Sequence, residues 1–371
     1  MIKSIFILLT VFTSFVFLHN HEVDANHLAN KTSEQTLKFH KFRMEKLPST
    51  FTKINIPAST NMNKLKASSN KSKDIQKIIN SSDLLSIMSY EKGKILIDEI
   101  SSKLSPNDKM YSMSTIKSKL GYLVGHALCD KKISSLNDPI SKYEPQLKNT
   151  VYKEVSIQNM INMAAGDSSI WGKEYSVKEY TGHILSSIPN KRKNIIDLIK
   201  SKGNKEPQNI GKFRYSNAIA DLVARVIDNV SPNGIGGYFH AKLAEPAGNE
   251  NEMFLLADAN GWPIAHAFLY ATRDDYMRMA IKISNDWNSN SCIGNFLRKQ
   301  YEQKIKTNSS NRKNYGAFFW FDISTVSGPT AVMNGHGGQR TIIKLKEGDI
   351  LSYHAIRSNF DQEKLESIFN K

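Results

Sequence analysis

The most informative stretch of the chain is residues 111–128, which read YSMSTIKSKLGYLVGHAL. From Ile116 onward its apolar residues recur at intervals of three and four, which predicts a helix buried along one face. Lys117 lies three residues after Ser114, so the two side chains share one side of the first helical turn. A hydroxyl beside an amine at the start of a helix can be an activated nucleophile, because burial and the helix dipole both favour the neutral amine.

The Ser-x-x-Lys pattern is weak evidence when it is taken alone. It occurs four times in the chain, beginning at Ser68, Ser89, Ser114 and Ser310. Only Ser114 opens a long amphipathic run, since the other three lie in polar tracts or precede a turn. An isolated Ser114 would more ordinarily be an N-cap serine beside a solvated lysine. The assignment therefore depends on the rest of the chain.

The N-terminus has the pattern of a secretory signal peptide. Residues 1–3 are short and basic, residues 4–18 are almost continuously apolar, and Val23-Asp24-Ala25 fits a small-residue cleavage site. We expect residues 1–25 to be removed and the protein to be secreted or periplasmic, with an uncleaved N-terminal anchor as the alternative. The apolar run is short for a membrane span, and no later stretch is apolar enough, so we expect no stable span after cleavage.

The composition of the chain limits the kinds of molecule that the protein is expected to bind. The formal net charge is +15, and strongly basic proteins often bind nucleic acid or other anionic polymers. Here the lysines are scattered, and a signal peptide argues against a nucleic-acid role. No Cys/His spacing suits zinc and no glycine-rich phosphate loop occurs, so we expect no metal and no cofactor. Cys129 and Cys292 could form a disulfide in an oxidising compartment or remain core thiols, and the sequence leaves both open.

Secondary-structure patterns divide the mature chain into a polar N-terminal arm, residues 26–78, and one domain, residues 79–371. Two short apolar runs, 84–90 and 94–100, flank a turn that contains glycine and predict a β-hairpin. Further strands are predicted at 315–321, 339–345 and 350–356, followed by a helix at 362–369. Strands at both ends with helices between them predict an α/β (α+β) fold, in which helices flank an antiparallel sheet built from both chain ends. A mostly helical subdomain would be inserted at about residues 125–265.

Two further motifs reinforce the first. Tyr215-Ser216-Asn217 opens a second amphipathic helix, and His336-Gly337-Gly338 precedes a strand. With Ser114-Thr115-Ile116-Lys117 they stand in the order of the motifs of the class C β-lactamase-like serine hydrolases, which use Ser-x-x-Lys, Tyr-x-Asn and Lys/His/Trp-x-Gly. Three flanking segments also resemble that family: 132–143, 157–166 and the GHGGQ of 335–339. The resemblance runs from about residue 80 to the end and is to the esterase, 6-aminohexanoate-dimer hydrolase and D-aminopeptidase branch.

The resemblance implies a β-lactamase/transpeptidase-like fold and an acyl-enzyme mechanism. Ser114 would be the nucleophile, and Lys117 would hold or receive its proton. Tyr215 would be the general base, provided that the charge of the lysine lowers its pKa. The backbone N–H groups of Ser114 and Gln339 would form the oxyanion hole. Asn217 would offer its amide to the substrate and to Lys117.

The third motif bears on the substrate. β-Lactamases and penicillin-binding proteins of this fold usually have a lysine where His336 stands, and its charge helps to bind the substrate carboxylate. A histidine is mostly neutral near pH 7, so this role is weakened unless Arg340 takes it over. The sequence therefore favours esters or uncharged amides, with His336 as a residue of the site wall.

The remaining expected substrate contacts are glycines and aromatic residues. Gly337 and Gly338 are predicted to lie in a strand that lets the substrate backbone approach closely. Residues 167–210 are irregular, which is typical of a functional lid. Trp171 in this segment and Trp320 in the aromatic strand are predicted to line an apolar pocket.

The leading hypothesis is a secreted serine hydrolase that cleaves a small-molecule ester or amide through an acyl-enzyme on Ser114, with Lys117 and Tyr215 as a general-base pair. One alternative is a D-amino-acid peptidase or β-lactamase that acts on peptidoglycan-like or β-lactam substrates. Another is a catalytically silent envelope-binding protein of the same fold. The oligomeric state is not predicted.

Overall fold

A computed structural model describes residues 52–62, 65, 73–171, 184, 194–258 and 260–370. The predicted signal peptide, the first half of the predicted arm and about half of the predicted lid lie outside these residues. No helix in the described ranges is long and apolar enough to cross a membrane.

The described part of the chain forms twelve strands in two antiparallel sheets. They are β1 (Thr52–Ile56), β2 (Leu84–Glu91), β3 (Lys94–Ile100), β4 (Met110–Tyr111), β5 (Met253–Ala257), β6 (Leu269–Ala271), β7 (Ile305–Lys306), β8 (Asn314–Gly316), β9 (Phe319–Phe321), β10 (Thr330–Gly335), β11 (Gln339–Lys344) and β12 (Ile350–Ala355). The larger sheet has the order β3-β2-β12-β11-β10-β9-β8-β7, and the smaller has the order β1-β5-β6-β4. Because β2 pairs with β12, the prediction of a sheet built from both chain ends is confirmed.

The helices lie before, between and after these strands. They are α1 (Lys73–Ser81), α2 (Thr115–Cys129), α3 (Ile157–Ile161), α4 (Ser168–Trp171), α5 (Ile195–Lys200), α6 (Asn217–Val230), α7 (Gly234–Phe239), α8 (Glu245–Ala247), α9 (Arg273–Trp287), α10 (Cys292–Glu302) and α11 (Gln362–Ser367), with a π-helical turn at His240–Ala244. Short 3-10 turns occur at Ile140–Lys142, Pro145–Leu147 and Ile368–Asn370. The predicted hairpin, both amphipathic helices and the closing helix are present.

Two regular elements occur in the segment that was interpreted as a polar arm. β1 pairs with β5 along all five of its residues, and α1 buries Ile75 and Ile79. Each element carries few apolar residues, so its periodicity is too short to detect in the sequence. The long-range pairing of β1 supplies the stability that local pattern does not.

The predicted aromatic strand at 315–321 is wrong in one respect. The structure divides it into β8 and β9, joined by a tight turn in which Ala317 and Phe318 have positive φ values of 45° and 64°. The backbone N–H of Phe318 donates to the carbonyl of Ile161 at 2.8 Å. A Cβ on Gly121 of α2 would lie 1.9 Å from the carbonyl oxygen of Ala317. Only glycine at position 121 therefore allows α2 to approach this turn so closely. The hydrogen bond from Phe318 to Ile161 also fixes the turn.

Helix α2 is the most buried helix of the site region, with nearly every side chain from Thr115 to Ala127 inaccessible to solvent. A disulfide joins Cys129 at its end to Cys292 at the start of α10. The structure thereby resolves the alternative that the sequence left open. The disulfide and the close contact of Gly121 with the Ala317 turn therefore fix α2 at its C-terminal end and at its middle.

Lys119 of α2 is buried, with 1% of its surface exposed. Its Nζ lies 3.5 Å from both the carbonyl oxygen of Thr115 and the sulfur of Met333. It also lies 5.1 Å from the ring centroid of Tyr276. Burial lowers the pKa of Lys119 to about 7, because the charged form loses its hydration and gains only weak contacts in exchange.

We expect Lys119→Met to raise the free energy of unfolding by about 1–4 kcal/mol at about pH 6. The folded-state pKa lies below the unfolded value of 10.5. The unfolded chain therefore binds more protons between these two values, and wild-type stability rises with pH across that window. The gain in the variant should be largest below pH 7 and smaller at about pH 9, as measured by urea denaturation. Lys103→Met, on an exposed lysine, is the control, and an equal gain at both pH values would contradict the argument.

Candidate active site

The turn between β4 and α2 places Ser114 at the mouth of the helix. Met113 has a positive φ of 45°, which a non-glycine residue holds only where the surroundings fix it. The hydroxyl of Ser112 lies 2.9 Å from the carbonyl oxygen of Ala267 and 3.2 Å from the backbone nitrogen of Leu269. These contacts anchor the turn to the segment that leads into β6, and they leave the Ser114 side chain half-buried.

Lys117 lies directly behind Ser114. Its Nζ is 2.9 Å from Ser114 Oγ and also donates to the carbonyl oxygen of His266. Burial lowers the pKa of Lys117 to about 7, while the negative charge of Asp221 raises it. A substantial fraction of the amine is therefore neutral at neutral pH and able to accept a proton from the Ser114 hydroxyl.

Asp221 and His266 position the carbonyl group that Lys117 contacts. The carboxylate of Asp221 accepts from the backbone N–H of His266 and contacts the ring Nδ1, both at 2.8 Å. Both side chains are about 2% exposed. Sequence reasoning missed both residues. The available signal was an aspartate on the otherwise apolar face of α6, although nothing in the sequence pairs it with His266.

Tyr215 completes the cluster. Its hydroxyl hydrogen-bonds with Ser114, and its ring centroid is 5.0 Å from Lys117 Nζ. Its ring also stacks on that of Trp320, with centroids 6.1 Å apart and planes 16° apart. Burial raises the pKa of Tyr215 to about 12 and outweighs the opposite effects of Ser114 and Arg312. The expected lowering of this pKa by the lysine is not found, because desolvation of the phenolate dominates.

Asp167 fixes the residues on either side of Tyr215. This fully buried carboxylate accepts from Arg214 Nη1 at 2.8 Å and from Ser216 Oγ at 2.9 Å. It also accepts from the hydroxyl of Tyr152 at 2.8 Å. Sequence reasoning missed Asp167, since it lies far from Tyr215 in the chain and at the edge of the irregular segment.

Trp171 and Trp320 differ in their relation to the site. Trp171 is 5% exposed, and its Nε1 donates to the hydroxyl of Tyr152 at 2.9 Å. It thus belongs to the buried network around Asp167, and its role in lining a pocket stays a prediction. Trp320 stacks on Tyr215, and its role in lining a pocket also stays a prediction. Asn217, the first residue of α6, is 6% exposed, and its contact with substrate stays a prediction.

The loop of residues 336–338 lies between β10 and β11, beside the Ser114 turn. Gly337 and Gly338 have φ values of 75° and 91°, so they serve a hairpin turn and not the strand that was predicted. At the end of β10, a Cβ on Gly335 would lie 2.9 Å from Met113 Cβ and 3.0 Å from the carbonyl oxygen of Ser112. The absence of a side chain at 335 lets the strand end contact the turn that carries Ser114.

Gln339 holds this loop in place. Its Nε2 donates to the carbonyl oxygen of His336 at 3.1 Å, and its Oε1 accepts from the backbone N–H of Ala355 at 2.9 Å. The side chain of Gln339 is therefore structural, while its N–H as an oxyanion donor stays a prediction. His336 is exposed at the rim, and partial desolvation lowers its pKa, so the imidazole is neutral at pH 7.

Arg340 does not supply the missing cation. Its Nη1 pairs with Glu366, which is fully buried. Its Nε donates to Asn334 Oδ1 at 2.9 Å. These bonds occupy the guanidinium group within the protein, so the suggested substitution of Arg340 for the family's lysine does not occur.

We expect Asp167→Asn to slow the reaction of Ser114 with a fluorophosphonate by about tenfold or more, because small displacements of a catalytic group are costly. Loss of the buried charge pair with Arg214 should also lower the free energy of unfolding by about 3–5 kcal/mol. Rates are compared at a temperature at which circular dichroism shows both proteins folded. Glu154→Gln, on an exposed carboxylate, is the control. An unchanged rate in a fully folded Asp167→Asn protein would exclude the positioning role.

Comparison with solved structures identifies the fold. A structure from Bacillus anthracis that is assigned as a 6-aminohexanoate-dimer hydrolase has a TM-score of 0.75 and 13% identity, over 95% of each chain. A penicillin-binding protein from Bacillus halodurans has a TM-score of 0.62 and 15% identity, over 80% of this chain and 99% of that one. A family VIII carboxylesterase has a TM-score of 0.56 and 13% identity, over 80% and 95%.

The comparison with families extends this result from fold to membership. No curated protein matches the chain. The Beta-lactamase family matches residues 85–344, a range that contains Ser114, Lys117, Tyr215 and Gln339. This chain therefore belongs to the beta-lactamase family, whose members of this fold are serine hydrolases acting on amides and esters.

Proposed function

We propose that this protein is a secreted serine hydrolase that cleaves an ester or amide bond through an acyl-enzyme on Ser114. The observation that carries the proposal is the 2.9 Å contact between Ser114 Oγ and Lys117 Nζ, together with the lowered pKa of this lysine, about 7. A neutral amine in hydrogen-bond contact with a hydroxyl is the arrangement that activates a serine nucleophile.

In the proposed acylation, Ser114 Oγ attacks the substrate carbonyl carbon while its proton moves to Lys117. The bond to the leaving group then breaks, and the leaving atom takes a proton from the Tyr215 hydroxyl. Lys117 returns a proton to Tyr215, so the protons balance. Tyr215 suits this role because its pKa of about 12 keeps it protonated at neutral pH. Deacylation uses the same groups in reverse, with water in place of the leaving group.

Two backbone N–H groups, those of Ser114 and Gln339, are proposed to stabilise the oxyanion. The close contact of Gly335 with the Ser114 turn supports this assignment. Asp221 is proposed to orient Lys117 through His266, and Asp167 to hold Tyr215 through its neighbours. Sequence reasoning gave Lys117 and Tyr215 together the role of general base, whereas the two pKa shifts favour Lys117 as the base and Tyr215 as the acid.

The proposed substrate class and location have separate support. Solved structures of similar fold are named as a 6-aminohexanoate-dimer hydrolase and a family VIII carboxylesterase, and we propose either an amide or an ester as the substrate. Secretion is supported by the apolar N-terminal segment and by the Cys129–Cys292 disulfide, since disulfides persist mainly in oxidising compartments.

Labelling of the mature protein with a fluorophosphonate tests the nucleophile. We expect a single adduct on Ser114, located by peptide mass spectrometry, and none in Ser114→Ala. Ser310→Ala is the matched control, because Ser310 begins another Ser-x-x-Lys tetrapeptide and should not affect labelling. Equal labelling of wild type and Ser114→Ala would refute the proposed function.

The pH dependence of labelling tests the identity of the base. We expect the rate to rise with pH around a midpoint near 7, because Lys117 accepts the proton only when it is neutral. The carboxylate of Asp221 raises this pKa, so Asp221→Asn should move the midpoint to lower pH. Tyr215→Phe should react more slowly and keep the wild-type midpoint. Loss of the midpoint in Tyr215→Phe would transfer the role of base to the tyrosine.

A further inference from the structure

The proposed mechanism leaves one cation beside Tyr215 without a role. Arg312 lies in the loop between β7 and β8, and its guanidinium carbon is 4.8 Å from the ring centroid of Trp320. Trp320 in turn stacks on Tyr215. The positive charge of Arg312 acts on the Tyr215 hydroxyl, whose pKa it lowers. Arg312, Trp320 and Tyr215 therefore form one continuous wall that ends at Ser114.

The backbone of this loop is fixed, so the position of Arg312 is preorganised. The N–H of Thr307 donates to the carbonyl of Lys313 at 2.8 Å. The hydroxyl of Thr307 donates to the carbonyl of Arg312 at 2.5 Å, and the Arg312 N–H donates to Ser309 Oγ at 3.3 Å. Stacking on Trp320 then restricts the side chain itself.

Arg312 differs from the other arginines around the site because nothing in the described residues neutralises it. Arg214 pairs with Asp167 and Arg340 pairs with Glu366, whereas no described carboxylate forms an ion pair with Arg312. Its guanidinium is partly buried, and both burial and the charge of Arg340 lower its pKa. It nevertheless remains protonated, since arginine does not lose its charge in proteins. A partly desolvated cation of this kind is a binding site for an anion.

The surface next to Arg312 has the same sign of charge. A groove beside Phe213, whose ring is 5.5 Å from that of Trp320, is lined by Lys212, Arg214 and Lys306 and by no carboxylate. Because Asp167 already neutralises Arg214, the lysines and Arg312 set the local potential. That potential attracts anionic ligands toward the wall.

We propose that Arg312 binds a carboxylate of the substrate, so that the preferred substrates are esters or amides that carry a free carboxylate group. This inference rests on the proposed function of Ser114. The planar guanidinium fork matches a carboxylate in a bidentate manner while its face stays on Trp320. Arg312 thereby supplies a cation that neither His336 nor Arg340 provides. It also differs from the expectation, drawn from His336, that the substrates are esters or uncharged amides.

Matched pairs of esters test the inference on either side of the cleaved bond. Mono-4-nitrophenyl adipate and 4-nitrophenyl hexanoate differ in a carboxylate on the acyl group. The butanoate esters of 3-hydroxybenzoate and of phenol differ in a carboxylate on the leaving group. Wild type, Arg312→Gln and Arg312→Lys are compared at low ionic strength. Lys313→Gln removes the same charge from an exposed neighbouring residue and is the matched control.

Arg312→Gln should lower kcat/KM for the carboxylate member of at least one pair by about tenfold or more, mainly through KM. Any loss on the neutral member, through the effect of Arg312 on Tyr215, should be shared by both members, so the ratio within that pair should fall by about tenfold or more. Arg312→Lys should recover part of the loss, and Lys313→Gln should leave the ratio within a pair unchanged. An equal loss on both members, or an unchanged ratio in Arg312→Gln, would overturn the inference.

Fluorophosphonate labelling separates this inference from the proposed function. Wild type and Arg312→Gln should both be labelled on Ser114, and absence of labelling in both would refute the nucleophile and not Arg312. If Ser114 is labelled but neither ester pair is hydrolysed, the inference is tested by the ability of free adipate to protect Ser114 from labelling. Arg312→Gln should then need about tenfold more adipate for half protection, and equal protection in both proteins would overturn the inference.

Discussion

The hydrogen bond between Ser114 and Lys117 is the interaction on which the rest of the site depends. Its energetic basis is the burial of an amine of which only 1% is exposed, because burial disfavours the ammonium form and brings the pKa into the working range. The fold enforces that burial by fixing α2 at its middle and at its C-terminal end. Gly121 admits the turn at Ala317, and the disulfide holds the far end of the helix. Burial in an apolar environment destabilises the charged form of Lys117, and for the same reason it keeps the amine neutral and able to accept a proton.

Lys119 shows why burial alone does not make a base. It lies on the same helix, is equally buried and has the same pKa of about 7. Its nearest groups are a carbonyl oxygen, a thioether and an aromatic ring, whereas Lys117 contacts the Ser114 hydroxyl and the carbonyl that Asp221 and His266 hold in place. Geometry and not titration distinguishes the two lysines. The second one remains a pure cost to stability, offset by the packing of its aliphatic stem.

The parts of the site that could be predicted from sequence are those written into short segments. Helical periodicity located Ser114 and Lys117, and motif order located Tyr215. Asp167 and Asp221 could not be predicted, because each acts through partners more than forty positions away, and one chain without its fold gives no reason to pair them. The sequence likewise does not show which part of the protein an aromatic side chain faces. Trp171 therefore had the same predicted role as Trp320, although Trp320 stacks on Tyr215 and Trp171 contacts Tyr152.

The hydrophobic pattern at the two ends of the chain predicted the sheet. It did not predict the closest contacts between elements. The turn at Ala317 and Phe318 lacks the glycine or asparagine that usually marks such a hairpin, so an aromatic run looked like one strand. That turn determines where Trp320 stands, and Trp320 links Tyr215 to Arg312. If Arg312 binds a carboxylate, its positive charge no longer favours the tyrosinate, and the pKa of Tyr215 rises further above neutrality. A higher pKa makes the hydroxyl a weaker acid but makes the tyrosinate a stronger acceptor of the proton that Lys117 returns. Substrate binding would therefore favour the restoration of Tyr215 after the leaving group departs.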